Sequence, residues 1–142
     1  MFTVEGLIER LKSRYGGAIP FKQICADEGI IVTKAPLDEG LNSFYASVNT
    51  YKLIVLNEKL THWERRDWAF HELWHYFCSP STGTASYHTN TKEENKANMF
   101  AALCRIPKVK QGDTVESLCE RCNVSPLLAK LRLEYEMKKL KV

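Results

Sequence analysis

The stretch Asp67-Trp68-Ala69-Phe70-His71-Glu72-Leu73-Trp74-His75-Tyr76-Phe77-Cys78 decides how this chain is read. From Trp63 to Phe77 there is no Gly or Pro. Ser79-Pro80 then ends the segment, because proline disfavours a helical residue before it and cannot continue the hydrogen bonding. At about 100° per residue, Ala69, Phe70, Leu73 and Phe77 form one apolar face, the mark of an amphipathic helix. His71 and His75 fall roughly opposite that face, beside Trp68 and Cys78. Residues four apart lie one turn apart on a helix, so both imidazoles can reach one metal ion. Glu72 projects from the neighbouring face, close enough to take a proton from a water on that metal. His71 to His75 is thus an H-E-x-x-H segment, the working part of zinc-dependent peptidases. With 4 His and 13 Glu among 142 residues, a shuffled chain shows the pattern about once in 100. Two ordinary histidines on a helix are the plain alternative, so the surroundings must supply the rest of a site.

A catalytic zinc site needs a third protein ligand and an open position for water. The segment Thr91 to Cys104 carries Ala97, Phe100, Ala101 and Cys104 at i, i+3, i+4 and i+7, a stripe expected to be buried. Glu93 and Glu94 both sit at its start, and periodicity does not choose between them. Thr91 followed by Glu94 also spells a capping box, in which the carboxylate would only satisfy a backbone N–H.

H-E-x-x-H, about twenty residues, then E-x-x-A-N-x-F-A-A-x-x-x-x-P resembles the ImmA/IrrE family of metallopeptidases. The second element runs here from Glu94 through Ala97, Asn98, Phe100, Ala101 and Ala102 to Pro107. The resemblance covers the chain from about Pro20 to its end, and its specificity lies in the two helical motifs taken together. It implies that Glu94 is the third metal ligand. It also implies that Asn98, at a position that often holds Asp or Asn, steadies a ligand histidine. Trp74 stands where the family usually has Gly, and Asp67-Trp68-Ala69-Phe70 replaces the commoner Phe-Thr-Leu-Ala. Both are expected to alter packing around the helix without touching a proposed ligand, so they bear on the width of the cleft and not on the metal.

Composition fits one small domain over residues 1–142, with sheet and metal helices in 1–107 and a helical part in 108–142. Hydrophobic residues at 44% and charged ones at 26% are ordinary for a soluble globule. No stretch approaches the roughly 18 apolar residues that span a membrane. The N-terminus reads as an amphipathic helix on Val4, Leu7, Ile8 and Leu11, not as a signal peptide. With five cysteines, an odd number, and no secretion signal, reduced thiols in the cytoplasm are expected. The net charge of +3 concentrates toward the C-terminus in Lys108, Lys110, Lys130, Arg132, Lys138, Lys139 and Lys141. Interleaved acids Glu116, Glu120, Glu134 and Glu136 favour a solvated helical surface there over the alternative, a phosphate-binding stripe.

Helices are expected before Gly16-Gly17 and from Pro20 to Gly29, then strands at 30–33, 42–48 and 51–56. Asn49-Thr50 makes the tight turn of a hairpin. The fold class is therefore α+β, with helices around a small antiparallel sheet. In many zinc peptidases, which the chain resembles, an edge strand holds the substrate as an added strand. Asn42 to Val48 is the candidate for that edge, and an ordinary hairpin strand is the alternative.

In the C-terminal part, Asp113 with Glu116 can cap a helix from Thr114 to Cys122. Ser125-Pro126 can start another, giving a pair that resembles a helix-turn-helix. A DNA reader would carry polar residues at the start of the second helix, where this chain has Pro126, Leu127, Leu128 and Ala129. Packing or partner docking therefore outranks DNA binding. Cys119 and Cys122 form one C-x-x-C, more simply two buried apolar side chains than a metal site. Cys78 could approach the metal face, but no fourth protein ligand is needed where water must bind. Tyr87 and His88 precede the Glu94 helix and are candidate donors to an oxyanion, or plain surface.

The function these readings imply is a zinc-dependent endopeptidase. His71, His75 and Glu94 would hold Zn²⁺, with Mn²⁺ the alternative because availability as well as ligand type selects the metal. Glu72 would act as general base and then as proton donor to the leaving amine. The resemblance implies the substrate: a helix-turn-helix transcriptional repressor, often encoded beside the peptidase on a phage or mobile element, whose cleavage relieves repression. The alternative is a zinc-containing anti-repressor that binds the repressor and displaces it without cutting. Glu72 speaks against that, since a structural metal site needs no base beside its ligand.

Overall fold

Apolar periodicity shapes the N-terminal elements directly. Val4, Leu7, Ile8 and Leu11 are all buried on helix α1 (Val4–Arg14), which Thr3 caps by accepting from the Gly6 N–H. The structure, a computed structural model, describes residues 3–80 and 91–140. Helix α2 (Phe21–Glu28) ends on Gly29 in the left-handed conformation, at φ 71°, which glycine adopts without a Cβ penalty. Strands β1 (Ile30–Ala35), β2 (Ser43–Val48) and β3 (Tyr51–Asn57) follow. Beyond them lie α3 (His62–Cys78), α4 (Thr91–Arg105), α5 (Val115–Cys122) and α6 (Pro126–Leu140). Among the described residues no helix is long and apolar enough to cross a membrane.

The fold is α+β, and its three-stranded sheet is mixed. β2 and β3 pair antiparallel from Ser43 opposite Leu56 to Val48 opposite Tyr51, with Asn49 at φ 57° in the tight turn. β1 instead joins the other side of β3 in parallel, from Ile30 opposite Lys52 to Ala35 opposite Asn57. The expectation of a wholly antiparallel sheet therefore holds for the hairpin alone. The reason lies in the loop after β1. Pro36 has no N–H to continue a ladder, and the residues between β1 and β2 cross the roughly 10 Å of two strand spacings, leaving the middle slot to β3. Buried Asn57 clamps that loop, donating to the Leu41 carbonyl at 3.0 Å and accepting from the Lys59 N–H at 3.1 Å. β2 is left at an edge of the sheet.

Ile30, Tyr45, Ile54 and Leu56 turn one face of the sheet into the core, where α3 crosses β2 and β3 and α2 lies against β1. α3 starts on a capping box, Thr61 with Glu64. Its middle is buried on nearly every side: Asp67, Ala69, Phe70, His71, Glu72, Leu73, Trp74 and Tyr76. Two expectations change here. His71 does not lie away from the core but is 2% exposed, because α4 covers the side that hydropathy assigned to solvent. Trp68, expected to touch no ligand, has its ring centroid 4.9 Å from that of His71, while Trp74 is 1% exposed against Phe100 of α4, with ring centroids 5.7 Å apart.

Buried charges tie the C-terminal helices to this pair. Arg105 Nε donates to Asp67 at 2.9 Å, a second Arg105 nitrogen donates to the Asn123 carbonyl at 2.6 Å, and the Ser125 N–H donates to Asp67 at 2.9 Å. Arg132, expected on a solvated surface, is 5% exposed. It donates to the Ile106 and Pro107 carbonyls, which the end of α4 leaves open. The cap of α5 also differs from expectation. Thr114 and Ser117 form the capping box, while Asp113 is engaged by both Arg121 nitrogens and by the Lys110 N–H. Cys119 and Cys122 pack against the core.

Removing one partner of a buried ion pair strands the other, at a cost of about 3–5 kcal/mol. Asp67→Ala is expected to lose that much in denaturant unfolding. Replacing both Asp67 and Arg105 by apolar residues should recover a large part. Equal losses for the single and the double variant would show that the pair does not act as a unit.

Candidate metal centre

α3 and α4 run antiparallel, as three contacts show in turn: Asp67 with Arg105, His71 with Asn98, and His75 with Glu94. Buried Ala97, Phe100, Ala101 and Ala102 hold α4 close against α3, which puts Glu94 and Asn98 over the two histidines. His71 Nε2 lies 3.0 Å and 3.2 Å from the two Glu94 oxygens, and His75 Nε2 lies 2.7 Å from Oε2. The three side chains offer ligand atoms that all lie within 4.8 Å of one another. Donor atoms around a four-coordinate zinc stand roughly 3.3 Å apart for bonds near 2.0 Å, so the trio is already close to the spacing such an ion requires.

Glu94, which a capping box would turn back on Thr91, reaches both histidines. Glu93 lies instead 3.6 Å from the Lys96 ammonium. Burial pushes the Glu94 carboxyl up, but hydrogen bonds and charge from His71 and His75 outweigh it and hold it down at about 2. The group is therefore a carboxylate at neutral pH, the form that binds a metal. Asn98 Oδ1 lies 2.8 Å from His71 Nδ1. An amide oxygen only accepts, so it holds a proton on Nδ1, and Nε2 is the nitrogen that a bound metal would take in place of its contact with Glu94. Loss of such a partner costs roughly 10- to 100-fold in metal affinity. Asn98→Ala is expected to fall in that range by chelator competition, and an unchanged affinity would remove Asn98 from the site.

Glu72 is fully buried and turned toward the sheet, where Ser43 donates its hydroxyl to Oε2 at 2.7 Å. Sequence reasoning placed Ser43 in a strand without a role. The available signal was a polar residue in register with the core-facing Tyr45 of the strand nearest the motif. Ser43→Ala is expected to lower the rate of any Glu72-dependent step with little change in substrate affinity, and to cost about 1–3 kcal/mol through the buried carboxylate it leaves behind. Kinetics on one preparation, with unfolding measured in parallel, would check both. Cys78 is exposed at the end of α3 and is not among the clustered ligand atoms. Tyr87 and His88 lie outside the described residues.

Two imidazoles and a carboxylate converging from adjacent helices make a set that could hold a metal ion, as a metallopeptidase-type domain requires. The family model described as the IrrE N-terminal-like domain, Peptidase M78, matches residues 25–134, and the chain belongs to that family. Membership supports a metallopeptidase-type function and implies a metal, for which His71, His75 and Glu94 are a fitting ligand set. No curated protein matches the chain.

Proposed function

We propose that the chain is a zinc-dependent endopeptidase that cleaves a helix-turn-helix transcriptional repressor and so relieves repression. The observation that carries the chemistry is the meeting of both Nε2 atoms on the Glu94 carboxylate, with Glu72 fixed one residue away on the same helix. His71, His75 and Glu94 would hold the ion. Bound there, zinc supplies Lewis-acid polarisation of the scissile carbonyl and lowers the pKa of a water toward about 7. Glu72 takes the proton of the attacking water and delivers it to the leaving amine. Ser43 keeps that carboxylate in one orientation through the transfer. β2, at the sheet edge and carrying Ser43 as its first residue, is placed to receive an extended substrate as an added strand.

The repressor as substrate rests on the family resemblance of the two helical motifs. The test is co-expression with the repressor encoded nearest to the gene, wild type against Glu72→Gln, with the repressor's mass read intact. Fragments with wild type alone would support the reading and locate the bond. An uncut repressor that co-purifies and leaves its operator would replace it with the non-catalytic anti-repressor. Metal analysis of the purified protein decides between Zn²⁺ and Mn²⁺.

A further inference from the structure

The sheet has two edges, β2 and β1. On β2, Ser43, Tyr45 and Ala46 are buried. β1 differs, because after Ile30 the run Ile31-Val32-Thr33-Lys34 is exposed throughout. Ile31 is 47% and Val32 39% exposed, and successive strand residues point to opposite faces. A partner lying on one face of the sheet would cover one of these side chains and leave the other in water. A strand added along the edge covers both, and it pairs the outward N–H and C=O groups of β1 at the same time. Natural sheets blunt an edge with charge or proline in the strand. Here Lys34 and Pro36 come late, and the middle of β1 is apolar.

We propose that β1 is the interface between two copies of this chain, joined antiparallel about a two-fold axis at Val32 into one continuous sheet. The axis stands normal to the sheet, so residues paired across it share a face. Val32 then meets Val32 of the other copy, Ile31 meets Thr33, and Lys34 meets Ile30. Charge selects this register. Lys34 comes beside Ile30 and so beside the C-terminal end of the other copy's α2, where Asp27 and Glu28 lie and the helix dipole is negative. With the axis on Thr33, the two Lys34 residues would stand only about 7 Å apart along the strands; on Val32 they stand about 13 Å apart. With the axis on Ile31, pairing would be confined to Ile30, Ile31 and Val32, and Lys34 would meet no strand residue. Helix placement agrees. α2 packs against β1 where Ile30 is buried and leaves Val32 exposed, so two α2 helices lie toward opposite ends of the paired strands. β2 is on the far side of β3, and both β2 edges stay outside the interface.

Sedimentation of the full chain over a dilution series reads the assembly, one chain mass against two, and stands apart from any activity. Wild type should pass from monomer to dimer as concentration rises. Val32→Glu sets two carboxylates against each other on the axis and should leave monomer alone. Lys34→Glu brings acid to the acidic end of α2 and should weaken association about tenfold or more. Met137→Glu, at an exposed apolar residue of α6, should dimerise as wild type does. Circular dichroism checks that each variant is folded, and Lys34→Glu decides should Val32→Glu fail to fold. Cross-linking then tests the register. In a Cys78→Ser background, which removes the exposed thiol, oxidised glutathione should join Val32→Cys across the axis. Opposed Cα atoms there stand about 4.5–5.5 Å apart, a span that a disulfide bridges. Thr33→Cys should join poorly. A wild type that stays monomeric at its highest soluble concentration overturns the proposal, as does a dimer that Val32→Glu and Lys34→Glu leave intact. Joining through Thr33→Cys in place of Val32→Cys overturns the register, and with it the proposal.

Discussion

Glu72→Gln is expected to keep its metal and to cut its substrate about 10²- to 10⁴-fold more slowly than wild type, the range that a positioned general base contributes. The two side chains have the same shape, so the fully buried site is not reopened. The Ser43 hydroxyl, which donates to the carboxylate at 2.7 Å, can donate to the amide oxygen in the same way. What changes is the ability to hold a proton, since an amide does not accept one at neutral pH. The contacts of His71 with Glu94 and Asn98 do not run through the Glu72 side chain and are expected to survive the change. Metal content and a cleavage time course on one preparation would test this. A Gln variant that cuts at the wild-type rate would show that the base lies elsewhere. A variant that loses metal would make Glu72 structural.

The helices and the hairpin were legible because their signals are local. Val4, Leu7, Ile8 and Leu11 repeat at helical spacing and are all buried, as are Ala97, Phe100 and Ala101. A polar residue that the fold buries leaves no such trace. Arg132 looks like one more base on a charged surface, and only the open carbonyls of Ile106 and Pro107 explain its burial. Asp67 and Arg105 are 38 residues apart, and neither announces the other. His71 was misjudged for the same reason: a hydropathy projection treats the side facing α4 as solvent when that side carries histidines. The parallel β1 was missed because a strand's partner depends on how the next loop crosses the sheet, and 30–33 carries no record of that.

Within the site, spacing alone left Glu93 and Glu94 open, and the helix-to-helix register separates them in space. That register sets the second large effect. Glu94→Ala is expected to lose metal affinity by more than the roughly 10- to 100-fold assigned to Asn98→Ala, since a direct ligand outweighs the partner that only orients one. Glu93→Ala should bind like wild type, because the Glu93 side chain is 37% exposed and its near partner is Lys96. Titration against a chromophoric chelator gives all three values on one scale. The order should run wild type and Glu93→Ala first, then Asn98→Ala, then Glu94→Ala. The graded order matters more than any single value, because general unfolding would not discriminate between neighbours on one turn of α4. If Glu94→Ala bound normally while Glu93→Ala did not, the meeting of Glu94 with His71 and His75 would be an ion pair between helices, and the metal would have to be sought elsewhere.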